Sequence, residues 1–209
     1  MNSPGTNIFG HSEAGNEVTA AARAARLGHA GLIVWLTGLS GSGKTTLATE
    51  LERRLFQAGR MVYRLDGDVL RRGLCADLGF GLAARRENVR RAGEVAGLLA
   101  DAGLIAIAAF ISPLAEDRQL IRSRIAPGQF IEVFINAPIE VCEQRDVKGL
   151  YRRARAGELP EFTGISSPYE PPQQPEVELR TGEVSIAAAA EALEAHVNRR
   201  LQEIAGSAR

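Results

Sequence analysis

Apolar and polar positions change rhythm repeatedly along this chain. Leu32 to Thr37 (LIVWLT) is a short, nearly unbroken apolar run, the pattern of a strand covered on both faces. A glycine-rich stretch comes next. Then Leu47, Leu51 and Leu55 recur at helical spacing, predicting a helix over Thr45 to Gln57 that Gly59 stops. Met61 to Leu65, Leu104 to Ile111, Phe130 to Ile135 and Val177 to Leu179 read as further strands. Arg85 to Asp101, Asp117 to Arg124 and Ile186 to Ile204 read as helices, and Val18 to Leu27 as a short one with Thr19 near its start. Asn136-Ala137-Pro138 is a helix-start signal, with Pro placed early, where its missing N–H costs nothing. Gly157 to Pro175 carries Pro168, Pro171, Pro172 and Pro175 among glycines and polar residues, so no regular element is expected there. A long loop of this kind in a compact domain suits a lid or a binding loop.

Strands alternating with helices imply right-handed βαβ crossovers and a parallel sheet with helices on both faces. Ligands of such folds bind at the carboxyl ends of the strands. The polar groups gather there: Gly38 to Thr45 after the first strand, Asp66 to Arg71 after the second, Ser112 after the third.

Composition narrows the class. With 209 residues, 45% hydrophobic and 24% charged, the chain has the make-up of one globular domain, or at most one with an appendage, rather than of a disordered protein. Lys+Arg 25 balance Asp+Glu 25, so no basic excess suggests nucleic-acid binding. No apolar run approaches the roughly 18 residues of a membrane span. Polar Met1 to Gly15 lacks the pattern of a secretory signal. Cys75 and Cys142 are too few for a disulfide framework or a four-cysteine zinc site, and His11, His29 and His196 lack metal spacing. A cytoplasmic enzyme is the expectation. Only two of the 25 basic residues are Lys, namely Lys44 and Lys148. Chance accounts for that, or these positions want a compact ammonium rather than a forked guanidinium.

Gly38-Leu39-Ser40-Gly41-Ser42-Gly43-Lys44-Thr45 matches G-x-x-x-x-G-K-[ST] between a predicted strand and a predicted helix. Glycines let backbone N–H groups turn inward around phosphate oxygens, and the helix N-terminus adds favourable partial charge. In this pattern Lys44 reaches the terminal phosphates and Thr45 offers a hydroxyl to Mg²⁺. The implied fold class is α/β: a three-layer α/β/α P-loop kinase fold with a parallel five-stranded sheet and a lid. No N-K-x-D guanine motif occurs, and the chain is short for a mechanochemical ATPase, which leaves a small-molecule kinase.

On the acceptor side, Asp66 and Asp68 in Asp66-Gly67-Asp68-Val69-Leu70-Arg71 put carboxylates after the second strand, with Arg71 available to clamp an anion. A plain Asp-Gly turn with a solvated Arg is the competing reading. Arg85 and Asn88 share a helix face at i, i+3, and Phe80 precedes them. Together with Arg71 they can hold an anionic substrate, with Phe80 against a ring. A solvated charged helix face is the alternative.

These stretches resemble the adenylylsulfate kinase (APS kinase) family. The resemblance lies in GHAGLIVWLTGLSGSGKTTLA, LDGDVLRRGL, LGFGLAARRENVRRAGEVA, AAFISP, FIEVFINAPIEVCEQRDVKGLYRRARAGELPEFTGISSPYEPP and PEVELRT, in this order, within a span of roughly Asn7 to Leu201. It implies ATP-dependent phosphorylation of the ribose 3′-hydroxyl of adenosine 5′-phosphosulfate (APS), giving PAPS in sulfate assimilation. It implies ATP and Mg²⁺ as cofactors, a homodimer, and neither nucleic acid nor membrane as partner. Carried over residue by residue, Gly38, Leu39, Ser40, Gly41, Ser42, Gly43, Lys44, Thr45 and Thr46 bind ATP, with Cys142 and Arg145 near its base. Lys44, Asp66 and Ser112 are catalytic, and Thr45 and Asp66 serve the metal. Asp68, Arg71, Arg85, Asn88, Ile111, Ser112 and Lys148 face APS, with Phe80 and Phe162 about its adenine. Residues 1–30 are an extension and 31–209 the kinase domain, with a lid at about 146–171.

Ser112 matches the serine the family describes as a phosphorylatable intermediate. A direct in-line transfer needs no enzyme phosphate, so a polar pocket residue is the alternative. The chain departs from the family pattern at Gly10, Ala84, Leu114, Val147 and Ser166, none of them a residue assigned to chemistry. Another small P-loop kinase, or a nucleotide-binding partner without turnover, are the rival readings. Intact Lys44, Thr45 and Asp66 argue against the second.

Overall fold

The computed structural model describes residues 8–9 and 18–207. His11, and the reading of Met1 to Gly15, lie outside the described residues. The chain runs α1 (Ala20–Leu27), β1 (Leu32–Thr37), α2 (Lys44–Gln57), β2 (Val62–Asp66), α3 (Gly67–Leu70), α4 (Leu82–Asp101) and β3 (Ile105–Ala109). It continues through α5 (Ala115–Arg122), β4 (Phe130–Ile135), α6 (Ile139–Arg145), α7 (Leu150–Arg155), β5 (Val177–Leu179) and α8 (Ile186–Ser207). The strands form one sheet in the order β2-β3-β1-β4-β5, every pairing parallel.

The unbroken hydrophobicity of β1 reflects its central place. Leu32, Val34 and Leu36 point into a core made with Leu47, Leu51 and Leu55 of α2 and Leu193, Val197 and Leu201 of α8. Ile33 and Trp35 point the other way, into a second core with Val89, Ala92 and Ala96 of α4 and Ile121 of α5. The Trp35 ring stacks against Phe110 and Phe130, with centroids 5.3 and 6.3 Å away. Burying such side chains contributes on the order of 1.5–3 kcal/mol each, so β1 is a firmly held platform for the glycine-rich turn at its carboxyl end.

Several element ends differ from the sequence expectation, each for a local reason. Thr19 is the N-cap of α1, its hydroxyl accepting from Ala22 N at 3.1 Å. β2 is displaced by one residue because Asp66 remains in register with Ala109 of β3. β3 stops before Phe110, where the chain turns toward Ser112, a non-glycine residue with φ +38°. α4 begins at Leu82, on the good helix formers Leu82, Ala83 and Ala84. α5 starts at Ala115, whose N–H donates to the Glu170 carboxylate at 2.7 Å. Pro138 is the N-cap of α6 rather than its first helical residue. The sequence pattern predicts neither of two short helices. α3 is started by the Asp66 carboxylate accepting from Asp68 N at 2.8 Å. α7 is started by the Asp146 carboxylate accepting from Tyr151 N and Arg152 N at 3.0 and 3.1 Å. Residues 157–175 carry no helix or named strand, only a bridge between Thr163 and Ser167.

Candidate active site

The turn after β1 is built to present N–H groups. Gly38, Gly41 and Gly43 have φ of +152°, +74° and +102°, and a Cβ at Gly38 would stand 2.6 Å from the Ile135 carbonyl. The carbonyls of residues 38–42 are all engaged. Lys44 Nζ donates to Gly38 O (2.9 Å) and Leu39 O (2.6 Å), and the Tyr151 hydroxyl donates to Ser40 O (2.9 Å). Arg145 Nη1 donates to Gly41 O and Ser42 O (3.3 Å each), and Thr181 Oγ1 to Ser42 O (2.7 Å). No side chain caps α2. Its first-turn N–H groups, at Lys44, Thr45 and Thr46, therefore form with the turn a concave donor surface matched to phosphate oxygens. Burial lowers the Lys44 ammonium to about 8, with Lys148 adding to the effect and Cys142 and Asp66 opposing it. Such a group gains most from an anionic ligand.

Cys142 and Arg145 lie on the outer side of this cradle. The Cys142 carbonyl would be 2.9 Å from a Cβ at Gly41, and its buried thiol has its pKa raised by burial. Arg145 ties the loop to Thr181 as well, through Nη2 to Thr181 O at 2.7 Å.

Asp66 ends β2 on the same edge of the sheet. Its Oδ2 lies 3.5 Å from Thr45 Oγ1 and accepts from Arg64 Nη1 at 3.3 Å. The Thr45 hydroxyl and the Asp66 carboxylate are hard oxygen donors side by side at the mouth of the cradle. They fit a Mg²⁺ held by one or two protein oxygens plus phosphate. Across the mouth Lys148 pairs with Asp68, so the second lysine of the chain rests on a carboxylate of the acceptor side.

The acceptor-side arginines do not form a solvated face. Arg85 donates through Nε to Phe80 O (2.6 Å) and through Nη1 to the buried Thr163 hydroxyl, joining α4 to the 146–171 segment. Burial, then the nearby Arg71 charge, lowers the Arg85 pKa, while Glu161 opposes the shift. The guanidinium stays protonated but lacks full compensation. Arg71 donates to Leu78 O and Gly79 O (3.1 and 3.0 Å) and lies 4.4 Å from the Phe80 ring centroid. Asn88 is buried, and its Nδ2 has no hydrogen-bond partner. A buried amide donor left unpaired costs about 1–3 kcal/mol, and a ligand acceptor would recover it. Phe80 is 68% exposed, whereas Phe162 is buried and meets Tyr151 edge-on at 5.1 Å.

The Ile111–Ser112 turn ends β3 beside the cradle. Thr37 Oγ1 donates to Ile111 O at 2.7 Å, and Trp35 Nε1 donates to Ser112 Oγ at 3.1 Å. Ser112 is 1% exposed. Among the described residues no carboxylate or imidazole hydrogen-bonds its hydroxyl, so it lacks the base that activates a serine nucleophile.

Tyr151, Thr163, Thr181 and Trp35 also shape the site, and sequence reasoning alone does not assign them to it. Tyr151 and Thr163 sit inside the KGLY and FTGI stretches, which are the available signal; Trp35 reads simply as core. At the departure Ser166, the hydroxyl accepts from Phe162 N at 2.9 Å and holds the turn carrying that ring.

A phosphate cradle faced across one sheet edge by an acidic strand end and a half-buried arginine pair is the layout of a P-loop kinase. Likeness to known proteins says which kind. A family model described as Adenylylsulphate kinase matches residues 30–180, and the chain belongs to that family. An adenylyl-sulfate kinase of Aeromonas hydrophila subsp. hydrophila is 53% identical over 183 residues, covering 88% of this chain and 91% of its own. The APS kinase of Mycobacterium tuberculosis, solved in complex with AMPPNP and APS, is 49% identical with a TM-score of 0.74, over 79% of this chain and 96% of that one. A hexameric APS kinase from Thiobacillus denitrificans is 32% identical with a TM-score of 0.60, over 84% of this chain and 29% of that one. No helix among the described residues is long and apolar enough to cross a membrane.

Proposed function

We propose that the protein transfers the γ-phosphoryl group of ATP to the ribose 3′-hydroxyl of APS, giving PAPS and ADP. The observation that carries this reading is the cluster of Arg71, Arg85 and Asn88. Arg85 and Arg71 repel one another and Asn88 Nδ2 is buried without a partner, so the cluster suits an anionic, hydrogen-bonding acceptor. A phosphosulfate on a ribose meets both demands.

The cradle N–H groups and Lys44 bind the ATP phosphates and neutralise charge as it shifts toward the leaving oxygen. Cys142 and Arg145 border the side on which we place the base of ATP. When Mg²⁺ is bound at Thr45 and Asp66, its charge neutralises phosphate oxygens in the same place. Asp66 orients the 3′-hydroxyl and accepts its proton as the oxygen attacks in line. Arg71, Arg85 and Asn88 hold the acceptor's anionic end and ribose, while Asp68, Phe80 and Phe162 bound its base. Ser112 shapes the pocket with Ile111. The 146–171 segment acts as a lid that excludes water, with Lys148 moving from Asp68 to the phosphates. Residues 31–209 are the kinase domain, and we read the assembly as a cytoplasmic homodimer.

Turnover with APS, gluconate, shikimate and nucleoside monophosphates tests the acceptor. APS turning over fastest supports the assignment; turnover of another acceptor with none of APS would end it. Arg85→Ala should raise the Michaelis constant for APS by about 10–100-fold, the loss of one charge-assisted hydrogen bond, and leave that for ATP within a few-fold. Steady-state kinetics in each substrate checks this.

The lowered pKa of Lys44 gives a pH dependence. Phosphate binding favours the protonated ammonium, so ATP affinity should be level below pH 8. Above about 8 it should fall, approaching tenfold per pH unit, until the complex itself deprotonates. Calorimetric titrations with a non-hydrolysable ATP analogue from about pH 7 to 9.5 would show it, and a flat profile would remove Lys44 from the phosphates.

A further inference from the structure

The most deeply buried arginine among the described residues lies outside the groups assigned to catalysis and binding. Arg118 on α5 is 2% exposed, and each of its three nitrogens is committed. Nε donates to Glu132 Oε1 of β4 at 2.6 Å, Nη1 to Ser112 O at 2.6 Å and Nη2 to Glu170 O at 2.7 Å. One guanidinium thus joins the turn that lines the acceptor side to the C-terminal stem of the 146–171 segment.

The joint is reinforced on both sides. Glu170 N donates to Pro113 O at 2.8 Å, and the Glu170 carboxylate accepts from Ala115 N. Thr37 Oγ1 lies 3.1 Å from the Tyr169 hydroxyl and also donates to Ile111 O. Ser112, at φ +38°, holds a conformation that is costly for a non-glycine residue and persists only where its surroundings over-determine it. Trp35 fixes its hydroxyl and Arg118 its carbonyl.

Packing does not require this arrangement. A buried ion pair is often matched or bettered in stability by apolar residues of similar volume. An apolar pair cannot fasten two carbonyls from different segments in one fork. We propose that Arg118, neutralised by Glu132, is a positioning residue. It holds the Ile111–Ser112 turn and the Tyr169–Glu170 stem as one unit, so that the acceptor pocket and the segment over it are in place together. This rests on the assignment of APS to that pocket.

The test compares wild type with Arg118→Met/Glu132→Leu, which keeps the volume apolar, and with Arg118→Lys, which keeps the charge beside Glu132 but lacks the fork. Thermal melting reports the fold. Steady-state kinetics separates the two substrates. Trypsin cleavage after the exposed Arg152, Arg153 and Arg155 reports the lid, with and without AMPPNP plus APS. The expected result is a folded variant whose Michaelis constant for APS rises at least about tenfold, whose constant for ATP stays within a few-fold, and whose ligand-induced protection from trypsin is lost. A folded variant with wild-type APS kinetics and protection would overturn the positioning role, and Arg118→Lys alone decides the matter if the double variant does not fold. Wild type is the control: if it turns over no APS, the functional assignment and this inference fall together.

Discussion

Asp66→Asn should reduce turnover by a factor of about 10²–10⁴ while ATP remains bound with an affinity within a few-fold of wild type. The asymmetry comes from where Asp66 sits. It caps α3 through Asp68 N and faces Thr45 and Arg64, but it makes none of the bonds that engage the cradle carbonyls. Asparagine retains an oxygen for the cap, so the local fold survives. The substitution removes the negative charge that, on the proposed mechanism, draws the acceptor proton and completes the oxygen pair with Thr45. Rapid-quench measurement of the chemical step, with calorimetry for the nucleotide, separates the two effects. A variant that turns over normally would remove Asp66 from the reaction.

Lys44→Met should be as damaging to catalysis by another route. It removes the charge that, on the proposed mechanism, meets the phosphates, and kcat/KM for ATP should fall by about 10³, or roughly 4 kcal/mol. Without ligand the effect on stability should run the other way. The folded pKa of about 8 lies below the unfolded value near 10.5, so the charged form opposes folding. That penalty, about 3 kcal/mol, is fully present below about pH 8 and fades as pH rises toward the unfolded value. Removing the charge relieves it, while the loss of the bonds to Gly38 O and Leu39 O offsets part of the gain. Melting near neutral pH should therefore show the nucleotide-free variant at least as stable as wild type. A large loss of stability would mean that the ammonium is chiefly a structural tie for the loop.

The parts of the fold that are legible in the sequence are those whose burial is uniform. β1 and β4 lie inside the sheet under helices on both faces, and their apolar runs end where the strands end. The glycine cradle is legible because its backbone geometry admits few other residues. The short helices α3 and α7 are not, because nearby carboxylates, Asp66 and Asp146, start them and they are too short to show a period. α7 reads LYRRAR, a single turn and a half in which Leu150, Tyr151 and Ala154 face the core, and it depends on Asp146 accepting from its first N–H groups.

The site shows the same division. Lys44, Thr45, Asp66 and the arginines stand in local motifs. The groups that brace them act across the chain, and no local spacing announces a bond such as Trp35 to Ser112, 77 residues apart, or Arg118 to Glu170, 52 apart. Phe162 is legible through the family resemblance alone; its edge-on contact with Tyr151 and its place in a small cluster with Leu39 of the cradle are set by contacts that no local spacing announces.

On the proposed mechanism two anionic ligands meet head-on between the cradle and the arginines. A crystal structure of the protein with a non-hydrolysable ATP analogue and APS measures it most directly. The ribose 3′-oxygen should lie about 3–3.5 Å from the γ-phosphorus, with Asp66 in hydrogen-bond reach of that oxygen and Asn88 Nδ2 bonded to the acceptor. An acceptor bound away from Arg71, Arg85 and Asn88, with its 3′-oxygen out of reach of the terminal phosphate, would contradict it.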